Sequence, residues 1–377
     1  MDTLARSRTF RSRPRYRPAS VREVLRSLAG GPGHRGAPSD HFDGRLFFNP
    51  DATVGRSFWD FLRWRRTAQT KQWPEWVENR ARPAPPASLD HGQIALTFIN
   101  HITFLIQFRG LNVLTDPVYS QRVSPLRRIG PKRVRAPGLA FDELPPIHLV
   151  LVTHNHYDHL DIDTLVRLEE AHHPCFVTGL GNRAFLQQFQ LQRVHELDWW
   201  QSLEAAGASI TMTPAQHWSG RSGRNRNRTL WGGFMVRAAG RRVLFAGDTG
   251  YSVHFRDIQR RLGPPAIALL PIGAYEPRWF MAPQHMNPEE AVRAHLDLEA
   301  RLSIGTHFGC FQLTDEGIDD PLIELAAARQ RHNVSPELFQ VLETGETRLF
   351  QAGESAQPAI QVGTTGIEGT HRWDPAR

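Results

Sequence analysis

The stretch THNHYDHLD, residues 153–161, places three histidines and two aspartates within nine positions. It follows the apolar run HLVLV (148–152) and leads into DIDTLVRLEE (161–170), which has the pattern of a helix. Imidazoles and carboxylates that converge at this density usually surround a positive charge, because both groups offer lone pairs to a metal ion. The stretch therefore predicts a metal site at a point where a strand gives way to a helix.

Segments typical of strands, rich in β-branched and aromatic residues, occur in two series along the chain. The first series lies at 93–108, 111–117, 148–154 and 175–179. The second series lies at 209–218, 232–239, 241–250, 266–275 and 302–309. Helical patterns accompany them at 161–171 and 288–300. Two runs of strands with helices between them predict an α+β fold of two packed β-sheets flanked by helices.

Side chains that commonly bind metal ions follow several of these strands, whose ends are rigid supports. They are His154, His156, Asp158, His159, His217, Asp248 and His307. Five histidines and two aspartates suit zinc, but they are too many for one tetrahedral ion. Two ions that share a carboxylate account for the number. Asp248 is the natural bridge, because one carboxylate has two oxygens.

Each of the later residues also has a simpler structural explanation. His217 or His307 alone would usually be a buried, hydrogen-bonded histidine, and Asp248 could be a turn residue beside glycines. Three imidazoles beside a carboxylate in the HxHxDH motif have no ordinary structural role. The motif therefore carries the metal-site prediction, and the later residues complete it.

The composition limits which binding partners and which cell compartment can be expected for this protein. The formal net charge of +7 invites a nucleic-acid or anionic-membrane partner. The positive charge is almost entirely arginine, which GC-rich coding would also produce, so we expect no nucleic-acid partner. Two cysteines exclude a disulfide framework and a cysteine zinc site. Without an apolar run of ~20 residues or a secretory signal, the chain is expected to be cytoplasmic, with peripheral membrane contact as an open alternative.

The chain divides into four predicted segments. Residues 1–40 are rich in Arg, Pro and Gly and are expected to be flexible, and residues 353–377 form a tail. Residues 93–352 form the domain that contains the predicted strands and metal ligands. Residues 41–92 are an aromatic-rich extension, in which 56–66 (RSFWDFLRWRR) reads as a helix with a broad apolar face. That helix either packs on the core or lies at a membrane interface.

Longer blocks of sequence resemble a known family. HxHxDH followed by single ligands after later strands resembles the metallo-β-lactamase superfamily. Several longer blocks are similar to the N-acylphosphatidylethanolamine-hydrolysing phospholipase D family within it. These blocks are LTDPVYSQRVSP (114–125), GPKRVRAPG (130–138), ELPPI (143–147), HNHYDHLD (154–161), LDWW (197–200), TPAQHW (213–218), FAGDTGY (245–251), PIGAYEPRWFM (271–281) and QHMNPEEAV (284–292). The resemblance spans about Phe42 to Phe311 and implies a four-layer αββα metallo-β-lactamase fold.

The resemblance also implies an arrangement of ligands. One zinc ion would be bound by His154, His156 and His217, and the other by Asp158, His159 and His307. Asp248 would bridge the two ions.

The resemblance implies a reaction as well. A zinc-bound hydroxide would attack the phosphorus of N-acylphosphatidylethanolamine, giving N-acylethanolamine and phosphatidate. Asp158 would orient the nucleophile and His285 would assist the leaving group, while Gln284 and His285 would line the substrate site. Phe308 and Cys310 replace residues common in the family, so the acyl preference stays open. A phospholipid is the expected partner, and a homodimer is an open alternative.

Other functions compete with this one. A hydrolase of the same fold could act on a lactone, thioester or β-lactam, or on a nucleic-acid phosphodiester. A non-catalytic interaction protein is a further alternative, although such proteins usually lack ligands that are present here. A covalent phosphohistidine mechanism is excluded, because neither Lys71 nor Lys132 lies in an HxKxxxxD motif.

Overall fold

The apolar segments on both sides of the HxHxDH motif form the first of two seven-stranded sheets. The computed structural model describes residues 21–351, except for residues 53, 55–56 and 127. In spatial order, the first sheet contains β14 (Thr347–Phe350), β1 (Ile94–Asn100), β2 (Thr103–Phe108), β3 (Leu111–Thr115), β4 (Leu149–Val152), β5 (Cys175–Gly179) and β6 (Val194–Leu197). The pairs from β14 to β3 are antiparallel, and those from β3 to β6 are parallel.

The second sheet repeats this pattern of three antiparallel and three parallel pairs. In spatial order, it contains β7 (Ser202–Ala205), β8 (Ala208–Thr213), β9 (Gly233–Ala238), β10 (Arg241–Phe245), β11 (Ile267–Pro271), β12 (Ser303–Thr306) and β13 (Phe339–Gln340). The pairs from β7 to β10 are antiparallel, and those from β10 to β13 are parallel. In both sheets the parallel strands need crossovers, and helices supply most of them.

The main core lies between the two sheets. Phe98, Phe104 and Leu151 from the first sheet pack in one cluster with Phe234 and Phe245 from the second. Neighbouring residues on the same strands point the other way, because successive side chains alternate across a strand. Each sheet is therefore apolar on both faces and must be covered on its outer side.

Helices cover these outer faces. On the first sheet they are α3 (Ile162–His172) and α4 (Arg183–Gln187), and on the second they are α5 (His254–Leu262), α7 (Pro288–Asp297) and α8 (Asp320–Arg331). The remaining helices are α1 (Val21–Ala29), α2 (Phe58–Thr67) and the short α6 (Arg278–Met281). The order helix, sheet, sheet, helix confirms the predicted α+β, four-layer αββα fold. No helix in the described ranges combines the length and apolarity that crossing a membrane requires.

The residues before the first strand pack against the domain. In residues 21–40, Ser27 of α1 accepts hydrogen bonds from Arg221. In the extension, residues 41–92, Phe42 and Phe47 are buried in the main core. The indole of Trp73 donates to the backbone of Glu316. Residues 1–20 and the predicted tail 353–377 lie outside the described residues.

Candidate metal centre

The strand ends that carry the predicted ligands meet at one edge of the sheets. β4 of the first sheet leads into residues 153–159, and β8, β10 and β12 of the second lead to His217, Asp248 and His307. Apart from His156 and Asp158, which are partly exposed, the predicted ligands are buried. Their donor atoms form adjoining groups, which we call the metal centre.

Three histidines form the first cluster. Nε2 of His154 lies 2.7 Å from Nδ1 of His156, and Nε2 of His217 lies 3.3 Å from the same Nδ1. Two nitrogens bound to one tetrahedral zinc ion at ~2.0–2.1 Å would lie roughly 3.3 Å apart. The spacing in this cluster is therefore close to that of ligands on a single ion.

The second cluster contains Asp158, His159 and His307. Oδ2 of Asp158 lies 3.4 Å from Nε2 of each histidine. Asp248 lies between the clusters. Its Oδ2 is 3.1 Å from Nε2 of His159 and 3.8 Å from Nε2 of His217, and its Oδ1 is 3.3 Å from Nε2 of His307. Asp248 therefore contacts both clusters, as a bridging ligand must.

Unsatisfied polar atoms in the second cluster fit a metal ion. Buried polar groups nearly always have a hydrogen-bond partner. Among the described residues, however, Nε2 of His159, Nε2 of His307 and Oδ1 of Asp248 have none of acceptable geometry. These atoms face one another, and imidazole nitrogens and carboxylate oxygens are ordinary ligands for zinc and similar ions. The residues present can therefore bind metal ions.

The electrostatics of the centre also favour a positive charge between its carboxylates. Burial alone would raise the pKa of Asp248, but the neighbouring imidazoles, His159 first among them, outweigh it and hold that pKa well below its usual range. Burial would lower the pKa of His159, but Asp248 and Asp158 raise it well above its usual value. The carboxylates thus remain ionised and need a positive charge between them. Either a proton on His159 or a bound metal ion can supply it.

Hydrogen bonds from the opposite ring nitrogens orient the ligands. Nδ1 of His159 donates to Oδ2 of the buried Asp116 at 2.7 Å. Nδ1 of His217 donates to the backbone oxygen of Gln284 at 2.9 Å. An imidazole that donates from Nδ1 keeps its lone pair on Nε2, the atom that faces the centre. Such outer partners fix the tautomer and the ring orientation of metal-binding histidines.

The extension also supports a ligand. Nδ2 of Asn49 donates to the backbone oxygen of His217 at 2.8 Å, and Oδ1 of Asn49 accepts from the backbone nitrogen of His217 at 3.2 Å. The side chain of Asn49 thus forms a hydrogen bond with the peptide group on each side of His217. The loop that carries this ligand is held by a residue far from it in sequence.

Sequence reasoning missed two residues at the centre. Nε2 of His101 lies 3.2 Å from Oδ2 of Asp158, and His101 belongs to the second cluster. It occupies the buried turn between β1 and β2 with a φ of 46°. Asp116 follows β3 in the same way that the predicted ligands follow other strands. The signal for both was a polar residue at the end of an otherwise apolar run.

A cleft of about 770 Å³ opens over the metal centre. This volume is in the range of ligand-binding pockets, ~300–1,000 Å³. His156, Asp158 and Asp248 line its base, and the predicted substrate residues Gln284 and His285 line it as well. Its apolar wall consists of Phe61, Trp64, Val123, Phe280, Met281 and Leu313.

Comparison with known proteins agrees with this geometry. The model of the β-lactamase superfamily domain matches residues 111–308. A solved metallo hydrolase from Ignicoccus hospitalis superimposes with a TM-score of 0.52 at 21% identity, covering 69% of this chain and 99% of that one. Two sheets flanked by helices, with histidine and aspartate clusters at one edge, define the class as a metal-dependent hydrolase of the β-lactamase superfamily.

Relatives with higher sequence identity identify the family within that superfamily. An uncharacterized protein of Mycobacterium tuberculosis is 35% identical over 339 residues, which are 83% of this chain and 88% of that protein. The N-acyl-phosphatidylethanolamine-hydrolyzing phospholipase D 1 of Caenorhabditis elegans is 37% identical over 265 residues, covering 66% of this chain and 74% of that protein. The chain belongs to the N-acyl-phosphatidylethanolamine-hydrolysing phospholipase D family within that superfamily.

Proposed function

We propose that the protein is a dinuclear-zinc phosphodiesterase that hydrolyses N-acylphosphatidylethanolamine to N-acylethanolamine and phosphatidate. The observation that carries the proposal is the placement of Asp248 between two ligand clusters at the base of a cleft with an apolar wall. The relative in Caenorhabditis elegans is named for this reaction.

Two ions would be bound by the residues already described. His154, His156 and His217 would bind one, the cluster of Asp158, His159 and His307 would bind the other, and Asp248 would contact both. When bound, such ions supply an activated water at neutral pH and neutralise phosphoryl oxygens.

The side chains around the ions have separate roles in the proposed reaction. Asp158 lies at the cleft surface of the second cluster and would accept a hydrogen bond from the attacking water, which orients the water toward phosphorus. His285 lies 3.8 Å from Asp248, and burial lowers its pKa to about 3, so a free His285 is neutral at pH 7. A neutral imidazole presents one N–H, from which His285 would donate a hydrogen bond to the leaving oxygen and stabilise its developing negative charge. The proton that this oxygen finally takes would come from water.

The apolar wall of the cleft supports a lipid substrate. Trp64 of α2 packs on Phe280 with ring centroids 5.0 Å apart. The indole of Trp64 donates to Oδ2 of Asp315 at 2.9 Å, and this hydrogen bond holds α2 beside the cleft. Acyl chains bind by burial of apolar surface, and this wall offers several large apolar side chains beside the metal centre. We therefore propose that the wall holds an acyl chain while the phosphodiester lies at the base.

Exposed aromatic residues beside the cleft support contact with a membrane surface. Trp59 and Phe61 of α2 are 75% and 43% exposed, and Trp279 of α6 is 38% exposed. The guanidinium of Arg63 lies 4.8 Å from the ring of Trp279. Aromatic rings with nearby arginines are typical of segments that lie in the lipid headgroup layer. We propose that this face brings the cleft to the bilayer.

Turnover by the purified, metal-loaded protein tests the proposed function. N-acylphosphatidylethanolamine, phosphatidylcholine, a lactone and single-stranded RNA are compared as substrates, and hydrolysis of the first is expected. Preferential turnover of the lactone or of RNA would replace the proposal with another hydrolase activity of the same fold.

Isotope labelling tests the bond that is broken. In ¹⁸O-labelled water, attack at phosphorus places the label in phosphatidate and leaves N-acylethanolamine unlabelled. Because no residue forms a covalent intermediate in this mechanism, added butanol should not yield phosphatidylbutanol. Label in the alcohol, or abundant phosphatidylbutanol, would contradict direct attack by water on phosphorus.

A further inference from the structure

Arg226 is a half-buried cation on the cleft wall, and among the described residues it has an aromatic neighbour but no carboxylate or hydrogen-bond acceptor. It lines the cleft, and its Cζ lies 4.4 Å from the ring centroid of Trp218. Within the described ranges, no carboxylate pairs with its guanidinium and no oxygen accepts a hydrogen bond from it. Burial lowers the pKa of Arg226 below its usual value, but arginine remains charged at pH 7. A half-buried charge without a partner costs folding free energy.

Arg221, on the same wall, shows the contrast. Its guanidinium donates to the backbone oxygens of Ser27, Asn155 and Leu160, and it is fully buried under Tyr157 with Cζ 3.9 Å from the ring. Arg221 therefore supports the fold. Arg226 carries the same guanidinium group, but no acceptor among the described residues binds its N–H donors.

Hydrogen bonds hold the loop that carries Arg226 on both sides of this residue. Oδ1 of the buried Asn225 accepts hydrogen bonds from the backbone nitrogens of Arg221 and Ser222, each at 2.9 Å. The backbone nitrogen of Asn227 donates to the oxygen of Ser219 at 2.8 Å. The backbone on both sides of Arg226 is thus fixed. A cation held in advance loses little conformational entropy when it binds an anion.

Arg226 also lies close to the metal centre. The ring of Trp218 contacts both the Arg226 guanidinium and His156, with 4.1 Å between the Trp218 and His156 ring centroids. The acidic residues that line the cleft are Asp158 and Asp248, and both face the metal centre. A negatively charged ligand that enters the cleft would therefore meet Arg226 without competition from a nearby carboxylate.

We propose that Arg226 is an anion-recognition residue, which binds a phosphoryl oxygen of the ligand and makes the cleft select anionic phospholipids over neutral lipids. The identity of the anion as a phosphoryl group rests on the proposed function. Its planar, always charged guanidinium suits this role, because it can donate two parallel hydrogen bonds to a phosphate.

Binding to the metal-loaded, full-length protein tests the inference. The probes are dihexanoyl phosphatidate and the neutral dihexanoylglycerol, titrated by calorimetry into the wild type, Arg226→Gln, Arg226→Lys and the control Arg224→Gln. Arg224 lies on the same loop but is exposed and does not line the cleft. Arg226→Gln should weaken phosphatidate binding roughly 10- to 100-fold, the usual loss for a hydrogen bond to a charged group. Arg226→Lys should lose less, because it keeps the charge.

The neutral lipid shows whether Arg226 recognises the anionic phosphate or only shapes the cleft. Its binding should be the same in the wild type and in all three variants, with metal content unchanged. Unaltered phosphatidate binding in Arg226→Gln, or an equal loss for both lipids, would overturn the inference. If the protein binds phosphatidate through Arg226 but does not hydrolyse N-acylphosphatidylethanolamine, the inference stands and the proposed function fails.

Discussion

Oδ2 of Asp116 lies 2.7 Å from Nδ1 of His159, and both side chains are fully buried. The same oxygen accepts from Oγ1 of Thr153 at 2.6 Å. Asp116 therefore fixes the tautomer of His159 that directs Nε2 to the metal centre, and it makes that nitrogen a stronger base.

Asp116→Asn should lower metal affinity about 10- to 100-fold, because an amide orients the ring without a negative charge. The measurement is a zinc titration against a competing chelator. The control is Asp142→Asn, at an exposed aspartate remote from the centre. Equal affinities in the Asp116 and Asp142 variants would show that the contact is only structural.

Asp248→Asn tests whether the two clusters share one ligand. The amide keeps the size of the side chain but removes the charge that Asp248 places beside His159, His217 and His307. Elemental analysis should show close to two ions in the wild type and fewer in the variant, and activity should fall by orders of magnitude. One ion in a fully active wild type would contradict the dinuclear arrangement.

Asn49→Ala tests the support that the extension gives to His217. Loss of the two hydrogen bonds should lower the free energy of unfolding by about 1–3 kcal/mol and weaken metal binding at the first cluster. The control is Asn79→Ala, because Asn79 donates to the backbone of Ala136 outside the metal centre. If Asn49→Ala loses stability but binds zinc as well as the Asn79 control does, the extension does not affect metal binding by His217.

The HxHxDH motif and the strand ends were sufficient to predict two packed sheets and to identify seven of the residues that meet at their edge. Strong apolar runs such as β4 and β11 specify buried strands directly, so the side chains that follow such strands can be placed at a common edge. Asp248 was identified in the same way, from its place after β10.

Other features depend on contacts that a linear pattern does not contain. His101 reaches Asp158 only because a tight turn joins β1 to β2. The short edge strands β7, β13 and β14 are defined by pairing with their neighbours more than by their own composition. Arg226 stood in an arginine-rich run whose charge gave no indication of which side chain faces the cleft.

The contact between His41 and Asp198 predicts a pH-dependent stability. Burial alone would lower the pKa of His41, but hydrogen bonds to Asp198 and Asp40 at 2.7 and 2.6 Å outweigh it and raise the pKa above 6.5. A raised pKa in the folded state means that protonated His41 stabilises the fold. This contribution is fully present below about pH 6.5 and is lost as pH rises through the raised value.

The free energy of unfolding, measured from about pH 6 to about pH 9, tests whether this stabilisation is lost as pH rises. The stability difference between the wild type and His41→Gln should shrink as pH rises. His91→Gln is the control, because His91 is exposed. A difference that stays constant across this range would show that the role of His41 is packing, through its stacking on Trp199 at 4.3 Å.

Trp59 and Trp64 lie on the same helix but should behave differently when replaced by alanine. Trp59 is 75% exposed, so Trp59→Ala should weaken binding to anionic liposomes and leave the free energy of unfolding within about 0.5 kcal/mol of the wild type. Trp64 packs on Phe280 and donates to Asp315, so Trp64→Ala should lower the free energy of unfolding by about 1–3 kcal/mol.

Activity on detergent-dispersed lipid distinguishes membrane contact by Trp59 from the support that Trp64 gives to the cleft. Trp59→Ala should keep this activity, because a residue that serves only the interface is not needed once the lipid is dispersed. Trp64→Ala should lose part of it, because Trp64 lines the cleft. Trp76→Ala is the matched control, since Trp76 is 45% exposed and does not line the cleft. If Trp76→Ala weakens liposome binding as much as Trp59→Ala does, exposed tryptophan alone explains the effect, and α2 has no special place at the membrane.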